Sequence, residues 1–332
     1  MTAMKISSKL LNLIKKSKSF LIVGHINPEG DSIGSSLALA LGLIKMGKKD
    51  VKVLSKDPVP EILKFLPGSK MIKQKPPRKE VDVLIIVDCN TLARTGFENL
   101  RAKKTAIIDH HIKHADAAGS EFYRSLSASV IDPEAAAAGI LVYKTLVGLN
   151  IPMDKKIATN LYTALLVDTG GFRYSNVTSE SLEIASHLVE AGAKPWDVTK
   201  EIYESIPVKS MKLMAVALST LEIKHKIAWI TITKGMFRKT GTSAEDCEDL
   251  VEIPRKMKDI EAAVFFRQDG AKSFKLSLRS KGKVDVEKIA KSFGGGGHAA
   301  AAGCKINGSL REVQGKVFKA LRKTIRENKK FQ

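Results

Sequence analysis

Short apolar runs alternate with segments of helical periodicity through the N-terminal part of the chain. Five runs rich in aliphatic residues are bounded by polar residues, a pattern typical of buried parallel strands, and they lie at 20–23, 51–54, 81–87, 105–108 and 129–131. Between them apolar residues recur at helical spacing, as in the predicted helix 32–46. This alternation predicts an α/β fold with a five-stranded, parallel, doubly wound sheet.

The pattern changes after the segment 206–222, which we interpret as a connecting helix. Beyond it the chain is richer in strands and ends in helical segments, with predicted strands at 227–233, 262–267 and 273–280, a helix at 285–293, and a further helix that starts in the alanines 299–302. We therefore predict a first domain, 1–205, and a smaller mixed α/β domain, 223–332, joined by the connector.

Composition indicates an ordinary globular protein of two domains. The chain has 332 residues, of which 44% are hydrophobic, and it has no apolar run near the roughly 18 residues of a membrane span. Its N-terminus lacks the long apolar centre of a secretory signal. Cys89, Cys247 and Cys304 form no C-x-x-C pair, which fits a reducing compartment. We expect a cytoplasmic protein without a membrane partner.

The formal net charge is +20. Such an excess of Lys and Arg favours polyanionic partners, either nucleic acid or phosphorylated small molecules. Lysines on solvated helix faces are the alternative, because many lie singly along the chain. No basic stripe is interleaved with the aromatic residues that long single strands prefer.

Acidic and imidazole side chains follow the predicted strands. Ligands of open α/β sheets sit beyond the carboxyl ends of the strands, and carboxylates and neutral imidazoles bind divalent metals. The candidates are His25, Glu29 and Asp31 after the first strand, Asp88 after the third, Asp109, His110 and His111 after the fourth, and Asp168 after the helix 155–167. The alternatives are a solvated loop for the triplet 109–111 and a simple helix cap for Asp31 with Ser32.

A second group of residues indicates phosphate binding. Four glycines precede His298, and a glycine run before a helix exposes N–H groups that cradle phosphate, although a flexible linker is the alternative. Arg279 and Arg94 are placed to meet an anion, although pairing with an acid at the surface is the alternative for Arg94. The predicted substrate-binding residues are therefore Arg279, Gly295, Gly296, Gly297, His298 and Arg94.

The ordered motifs IVGHINPEGDSIGS, VDCN, IDHH, VDTGGFRYSNVT and SLRSKG…GGGGHAAAAG resemble those of the DHH phosphoesterase family, and of its NrnA-type branch of nano-RNases and pAp phosphatases. The resemblance covers nearly the whole chain, including a DHH-associated C-terminal domain. It implies a Mn²⁺-dependent hydrolase of ester bonds, a phosphodiesterase or exoribonuclease that releases mononucleotides from short oligonucleotides and a 3′-phosphatase that converts pAp to AMP.

The resemblance also implies roles for the candidate residues. One Mn²⁺ would be held by His25, Glu29 and Asp88, and the second by Asp31, Asp88, His110 and Asp168, with Mg²⁺ or Co²⁺ as alternative ions. Asp88 would bridge the ions, Asp109 would orient a neighbour, and His111 would lie beside the scissile phosphate. Two ions roughly 3.5–4 Å apart activate a water and stabilise both the attacking and the leaving oxygen. The C-terminal domain would close over the substrate through its arginine and glycine loop.

Two departures from the family pattern stand out: Glu29 replaces the usual Asp, and Ala135–Ala138 replace frequent Ser and Thr. Other readings of the same motifs are a cyclic-dinucleotide phosphodiesterase and a catalytically inert nucleotide- or RNA-binding protein. Pyrophosphatase or exopolyphosphatase activity is less favoured, because the glycine-loop domain resembles the nucleotide-handling branch. Cleavage polarity, substrate length, RNA or DNA preference and homodimer formation stay open.

Overall fold

The computed structural model describes residues 6–111 and 121–329, and the chain forms two compact units that divide between Ser205 and Ile206. The strands of the N-terminal unit are β1 (Ser19–Val23), β2 (Asp50–Leu54), β3 (Ile72–Lys73), β4 (Val81–Val87), β5 (Ala102–Asp109) and β6 (Ala128–Ile131). Its α-helices are α1 (Ser8–Lys16), α2 (Gly30–Lys45), α3 (Glu121–Ser125), α4 (Ala138–Gly148), α5 (Lys155–Asp168), α6 (Ser179–Glu190) and α7 (Pro195–Tyr203).

The six strands form one parallel sheet in the order β3-β2-β1-β4-β5-β6. The predicted α/β class with a parallel sheet is confirmed, but the predicted count of five strands is wrong by one. The extra strand, β3, has only two residues and lies in a proline-rich stretch, so it produces no periodic pattern. The strand order reverses between β1 and β4, and ligands of doubly wound folds bind at such a switch point.

Alternating side chains bury both faces of this sheet. Phe20 and Ile22 belong to the core that α1, α2, α4 and α5 cover, while Leu21 and Val23 belong to a second core with Phe97. This alternation follows from the period of two along a strand. It confirms the doubly wound arrangement.

Helices α2 and α5 pack unusually closely because glycines of α2 face α5. A Cβ on Gly30 would lie 2.4 Å from Val167, and a Cβ on Gly34 would lie 2.5 Å from the carbonyl oxygen of Asn160. Larger residues would therefore force the helices apart. The packing sets the start of α2 beside the end of α5.

The C-terminal unit contains a second six-stranded sheet in the order β11-β12-β10-β9-β8-β7, in which only β8 and β9 run parallel. The strands are β7 (Glu222–Lys224), β8 (Ile227–Ile232), β9 (Ala262–Gly270), β10 (Ser273–Ser280), β11 (Gly296–His298) and β12 (Ala301–Asn307). The α-helices are α8 (Val208–Leu218), α9 (Lys234–Thr240), α10 (Glu252–Arg255), α11 (Val286–Lys291) and α12 (Leu310–Lys329). The predicted mixed α/β architecture of this part is confirmed.

The helix predicted to start in the alanines 299–302 is wrong. The glycine run leads into edge strand β11, which pairs antiparallel with β12 from Ala301 onward. Alanine favours helices, but β10 pairs with β12 along its whole length, and tertiary pairing of this kind overrides local propensity. The predicted phosphate cradle at a helix N-terminus is therefore absent from this loop.

Among the helices of 6–111 and 121–329, none combines the length and the hydrophobicity that crossing a membrane requires.

Candidate metal centre

Seven of the predicted site residues converge at the carboxyl ends of β1, β4 and β5. They form three overlapping groups, and within each group the potential ligand atoms lie within 4.8 Å of one another. The groups are His25, Glu29 and Asp88; Asp31, His110 and Asp168; and Asp88, His110 and His111. All six residues predicted as metal ligands are thus brought together.

Asp88 lies at the centre of the cluster, directly after β4. Its backbone has a φ of 59°, the left-handed region that costs energy for residues other than glycine and that recurs at functional sites. Its Oδ2 lies 3.2 Å from Nε2 of His25. Its buried Oδ1 accepts no hydrogen bond from any described residue and lies 3.5 Å from Nε2 of His110. A buried carboxylate oxygen without a donor is costly, and a cation would satisfy it.

His25 and Glu29 approach Asp88 from the turn between β1 and α2. Nδ1 of His25 donates to the carbonyl of Ile26 at 2.7 Å, which leaves Nε2 facing Asp88 and, at 3.9 Å, Oε1 of Glu29. The Glu29 carboxylate accepts the backbone N–H groups of Asp31 and Ser32, both at 2.9 Å. Glu29, and not Asp31 with Ser32, is therefore the N-cap of α2.

Asp31 is fully buried at the start of α2. Its Oδ1 accepts the hydroxyl of Ser35 at 2.7 Å and the N–H of Gly139 at 2.9 Å, and its Oδ2 accepts the N–H of Ala138 at 2.6 Å. Ala137, the N-cap of α4, has no side-chain oxygen to cap that helix. Asp31 supplies the missing cap from a neighbouring helix, so the alanines that replace Ser and Thr contact the cluster through their main chain.

His110 and Asp168 complete the group around Asp31. Nδ1 of His110 donates to the carbonyl of Ala135 at 3.1 Å, and this bond directs Nε2 toward Oδ2 of Asp168 at 3.2 Å and Oδ2 of Asp31 at 3.7 Å. Histidines that bind metals typically hold the second ring nitrogen in this way. Asp168 is the last residue of α5, where the helix dipole disfavours an acid and favours a cation.

Asp109 and His111 form a pair beside this cluster. Asp109 is fully buried at the end of β5, and its Oδ1 accepts Nδ1–H of His111 at 2.8 Å. Its Oδ2 has no hydrogen-bond partner among the described residues. The His111 side chain is 38% exposed, so it combines a fixed orientation with access to solvent.

Burial and mutual electrostatic interaction shift the pKa values of the residues in the cluster. Burial raises the pKa of Asp31 well above its usual range, and the charges of Asp88 and Asp168 raise it further. Burial also raises the pKa of Asp168 to about 7, against the attraction of His110. Burial opposes protonation of His25 and His110, but the hydrogen bond of His25 to Asp88 and the closeness of His110 to the carboxylates of Asp88, Asp31 and Asp168 outweigh it and raise the pKa of each to about 10. The same two imidazoles hold the pKa of Asp88 below its usual range despite burial.

These residues fit a divalent metal centre. Carboxylate oxygens and imidazole nitrogens without thiolate suit Mn²⁺ or Mg²⁺. The unpartnered oxygen of Asp88 faces the shared centre of the cluster. Protons on buried carboxylates and imidazoles are the groups that a bound cation displaces.

The predicted phosphate-binding residues divide between the two units. Arg94 is exposed, and its carbonyl accepts the N–H of Ile26 at 2.8 Å, which places it beside His25. The other predicted residues, Arg279, Gly295, Gly296, Gly297 and His298, lie in the C-terminal unit.

Arg279 and His298 lie on one face of the second sheet, because both are register partners of Ala301. Nε of Arg279 donates to Oε1 of Glu252 at 2.7 Å. This ion pair was not predicted, since nothing in the sequence links a strand residue to an acid 27 positions away. The structure thus brings the predicted arginine and histidine to one sheet face and pairs the arginine with an acid.

Comparison with known families and relatives assigns this fold and cluster to the phosphoesterases, hydrolases of phosphoester bonds. Residues 19–165 match the N-terminal domain of the DHH family and residues 225–328 match the DHHA1 domain. The chain belongs to the DHH family.

Named relatives support this assignment. The chain is 31% identical to the bifunctional oligoribonuclease and PAP phosphatase NrnA of Thermus thermophilus, over 92% of this chain and 89% of the relative. It is 25% identical to the cyclic-di-AMP phosphodiesterase PdeA of Listeria monocytogenes, over 95% of this chain but 49% of that longer protein. The crystal structure of an exopolyphosphatase-related protein from Bacteroides fragilis superimposes with a TM-score of 0.85 at 27% identity, covering 98% of this chain and 99% of that one.

Proposed function

We propose that the chain is a Mn²⁺-dependent phosphoesterase that releases mononucleotides from short oligonucleotides and converts pAp to AMP. The observation that carries this proposal is the convergence of three overlapping ligand groups, two of which share Asp88, at the switch point of the sheet. The similarity to a named oligoribonuclease and PAP phosphatase over 92% of the chain supports the choice of substrates.

Two sets of residues would hold the metal ions. We assign His25, Glu29 and Asp88 to one ion and Asp31, Asp88, His110 and Asp168 to the other. When bound, two divalent ions supply Lewis acidity, which lowers the pKa of a water and neutralises phosphate charge. The protein contributes a fixed set of ligands, because Glu29 and Asp31 are each held by two backbone N–H groups.

His111 is our candidate for the group that meets the scissile phosphate. Its Nδ1–H is held by Asp109, which fixes the tautomer and leaves Nε2 for the substrate. The exposed side chain of Arg94 offers a second cation close to His25. Both residues would bind and orient the phosphate rather than hold an ion.

We assign substrate binding to the C-terminal unit as well. Residues 206–332 contain 27 Lys and Arg against 13 Asp and Glu, so this unit carries +14 of the net charge of +20. A substrate phosphate would compete with Glu252 for the guanidinium of Arg279, and the exposed β11 would present Gly296 and His298. Charge of this sign attracts nucleic acid and nucleotides.

The test is a hydrolysis assay with Mn²⁺ that offers a labelled RNA dinucleotide, a long RNA, pAp and a cyclic dinucleotide side by side. We expect rapid turnover of the dinucleotide, slow attack on the long RNA, and release of AMP from pAp. Preference for the cyclic dinucleotide would instead favour the activity named for the Listeria relative.

Two variants make the assay specific for the cluster. Asp88→Ala removes the shared carboxylate, and we expect it to abolish turnover. Asp82→Ala removes an acid of β4 that pairs with Lys103 outside the cluster, and we expect it to retain turnover. If wild type binds oligonucleotides in Mn²⁺ but cleaves none of the substrates, the protein is an inert binder and the proposal fails.

A further inference from the structure

The chain reverses direction directly after Asp168. Gly170, Gly171 and Phe172 all adopt positive φ, at 58°, 72° and 60°, so the backbone turns tightly at the end of α5. The turn returns the chain to that helix end. Asn176 thereby comes to lie against the carbonyl of Asp168.

The side-chain amide of Asn176 joins two segments of the fold. Its Nδ2 donates to the carbonyl of Asp168 and to the carbonyl of Ala136, both at 3.1 Å. Because both partners are acceptors, only the NH₂ group fits between them, so the orientation of the amide is determined. Its Oδ1 is buried without a hydrogen-bond partner among the described residues, which shows that the site selects the two donors.

Ala136 belongs to a stretch that contacts two other proposed metal ligands, and we call 135–139 the alanine segment. The carbonyl of Ala135 accepts Nδ1–H of His110. The N–H groups of Ala138 and Gly139 donate to Asp31. The alanine segment therefore holds two of these ligands directly, and Asn176 attaches the third, Asp168, to it.

We propose that Asn176 is a positioning residue that sets the separation of Asp168 from His110 and Asp31. This inference rests on the proposed function, since it concerns the ion assigned to these residues. Among the described residues, Asn176 makes the side-chain hydrogen bonds that join the end of α5 to the alanine segment. Residues that hold metal ligands in place typically change metal affinity about 10–100-fold, and we expect that loss at one of the two ions only.

The experiment compares Asn176→Asp and Asn176→Ala with wild type. Asn176→Asp keeps the shape but replaces both donors by acceptors, and Asn176→Ala serves if the charged variant does not fold. Asn160→Ala is the matched control: the Asn160 amide also donates to two carbonyls, those of Pro67 and Lys156 at 3.0 Å, and also has a buried, unpartnered Oδ1. Among the described residues, its amide donates neither to a proposed metal ligand nor to the alanine segment.

Mn²⁺ binding to the full chain is measured by electron paramagnetic resonance and by calorimetry, and thermal unfolding is recorded for each variant. We expect two ions in wild type, an affinity lowered about 10-fold or more for one of them in the Asn176 variants, and two unchanged affinities in Asn160→Ala. Two unchanged affinities in the Asn176 variants, or equal losses in Asn160→Ala, would overturn the inference while leaving the proposed function intact. Absence of Mn²⁺ binding to wild type would overturn the proposed function as well.

Discussion

Replacing Asp168 by Asn is expected to stabilise the protein without metal and to weaken its stabilisation by Mn²⁺. Without metal, the ionised carboxylate is held in a buried, acidic environment, which raises its pKa from 3.8 to about 7. A raised carboxyl pKa means that ionisation destabilises the folded state. The neutral amide removes this cost and keeps the side-chain shape.

The change in the free energy of unfolding follows from the pKa shift of Asp168. A difference of roughly three pKa units corresponds to at most about 4 kcal/mol in the free energy of unfolding. Because the side chain is 28% exposed and water screens part of the repulsion, we expect a gain of about 1–3 kcal/mol for Asp168→Asn at pH 8. Well below pH 4 the carboxyl is protonated in both the folded and the unfolded state, so the gain vanishes there. The gain grows as the pH rises from about 4 to about 7 and is constant above.

In Mn²⁺, we expect Asp168→Asn to gain less stability from the metal than wild type does. An ion at 100 times its dissociation constant stabilises a protein by about 2.7 kcal/mol, and the variant loses part of this contribution together with a ligand. Urea unfolding in EDTA and in Mn²⁺, at pH 5 and pH 8, measures both effects. Glu190→Gln is the matched control, because Glu190 is an exposed acid that also ends a helix. A lower stability of Asp168→Asn in EDTA at pH 8 would refute the reasoning.

Two further predictions concern protons and the glycine loop. Mn²⁺ binding at pH 8 should release protons, because the pKa of His25 and of His110 is about 10 without metal and coordination needs the neutral ring. The affinity for Mn²⁺ should therefore rise with pH. A binding enthalpy that does not depend on the ionisation enthalpy of the buffer would contradict this prediction. Gly297→Ala should destabilise the C-terminal unit by about 1–3 kcal/mol, because Gly297 has a φ of 144° and a Cβ there would lie 2.4 Å from a backbone oxygen. Gly296→Ala is the control, since a Cβ at Gly296 meets open space. Equal unfolding curves for the two variants would contradict the prediction.

The candidate metal ligands could be predicted from the sequence because parallel strands end at a common edge of the sheet. The apolar run of β4 ends at Asp88 and that of β5 ends at Asp109 and His110, so strand topology alone predicts that they meet. Asp168 follows the predicted helix 155–167, and an acid at the end of a helix is unfavourable unless it faces a cation. These signals are local in the sequence, and the fold translates them directly into proximity.

The features that were missed depend on contacts between distant segments. Asn176 lies within the motif VDTGGFRYSNVT, but the motif does not show that its amide bonds two main-chain carbonyls of separate segments. The alanine segment acts through its own main chain, which its residue types do not reveal. The strand pairing of β11 and β12 contradicts the helix propensity of alanine, and the ion pair of Arg279 with Glu252 joins separate elements. Propensity and periodicity describe neighbours along the chain and contain no term for such pairings.

The alanine segment determines which sequence changes the candidate metal centre tolerates. Its bonds to Asp31, His110 and Asn176 are made by carbonyl and amide groups that nearly every amino acid possesses. Residues here are therefore exchangeable within the volume that the core allows, with proline excluded wherever an N–H is required. A single inserted or deleted residue, by contrast, would shift every one of these groups at once. The geometry of the centre therefore depends here on the length and path of the backbone rather than on the identity of the side chains.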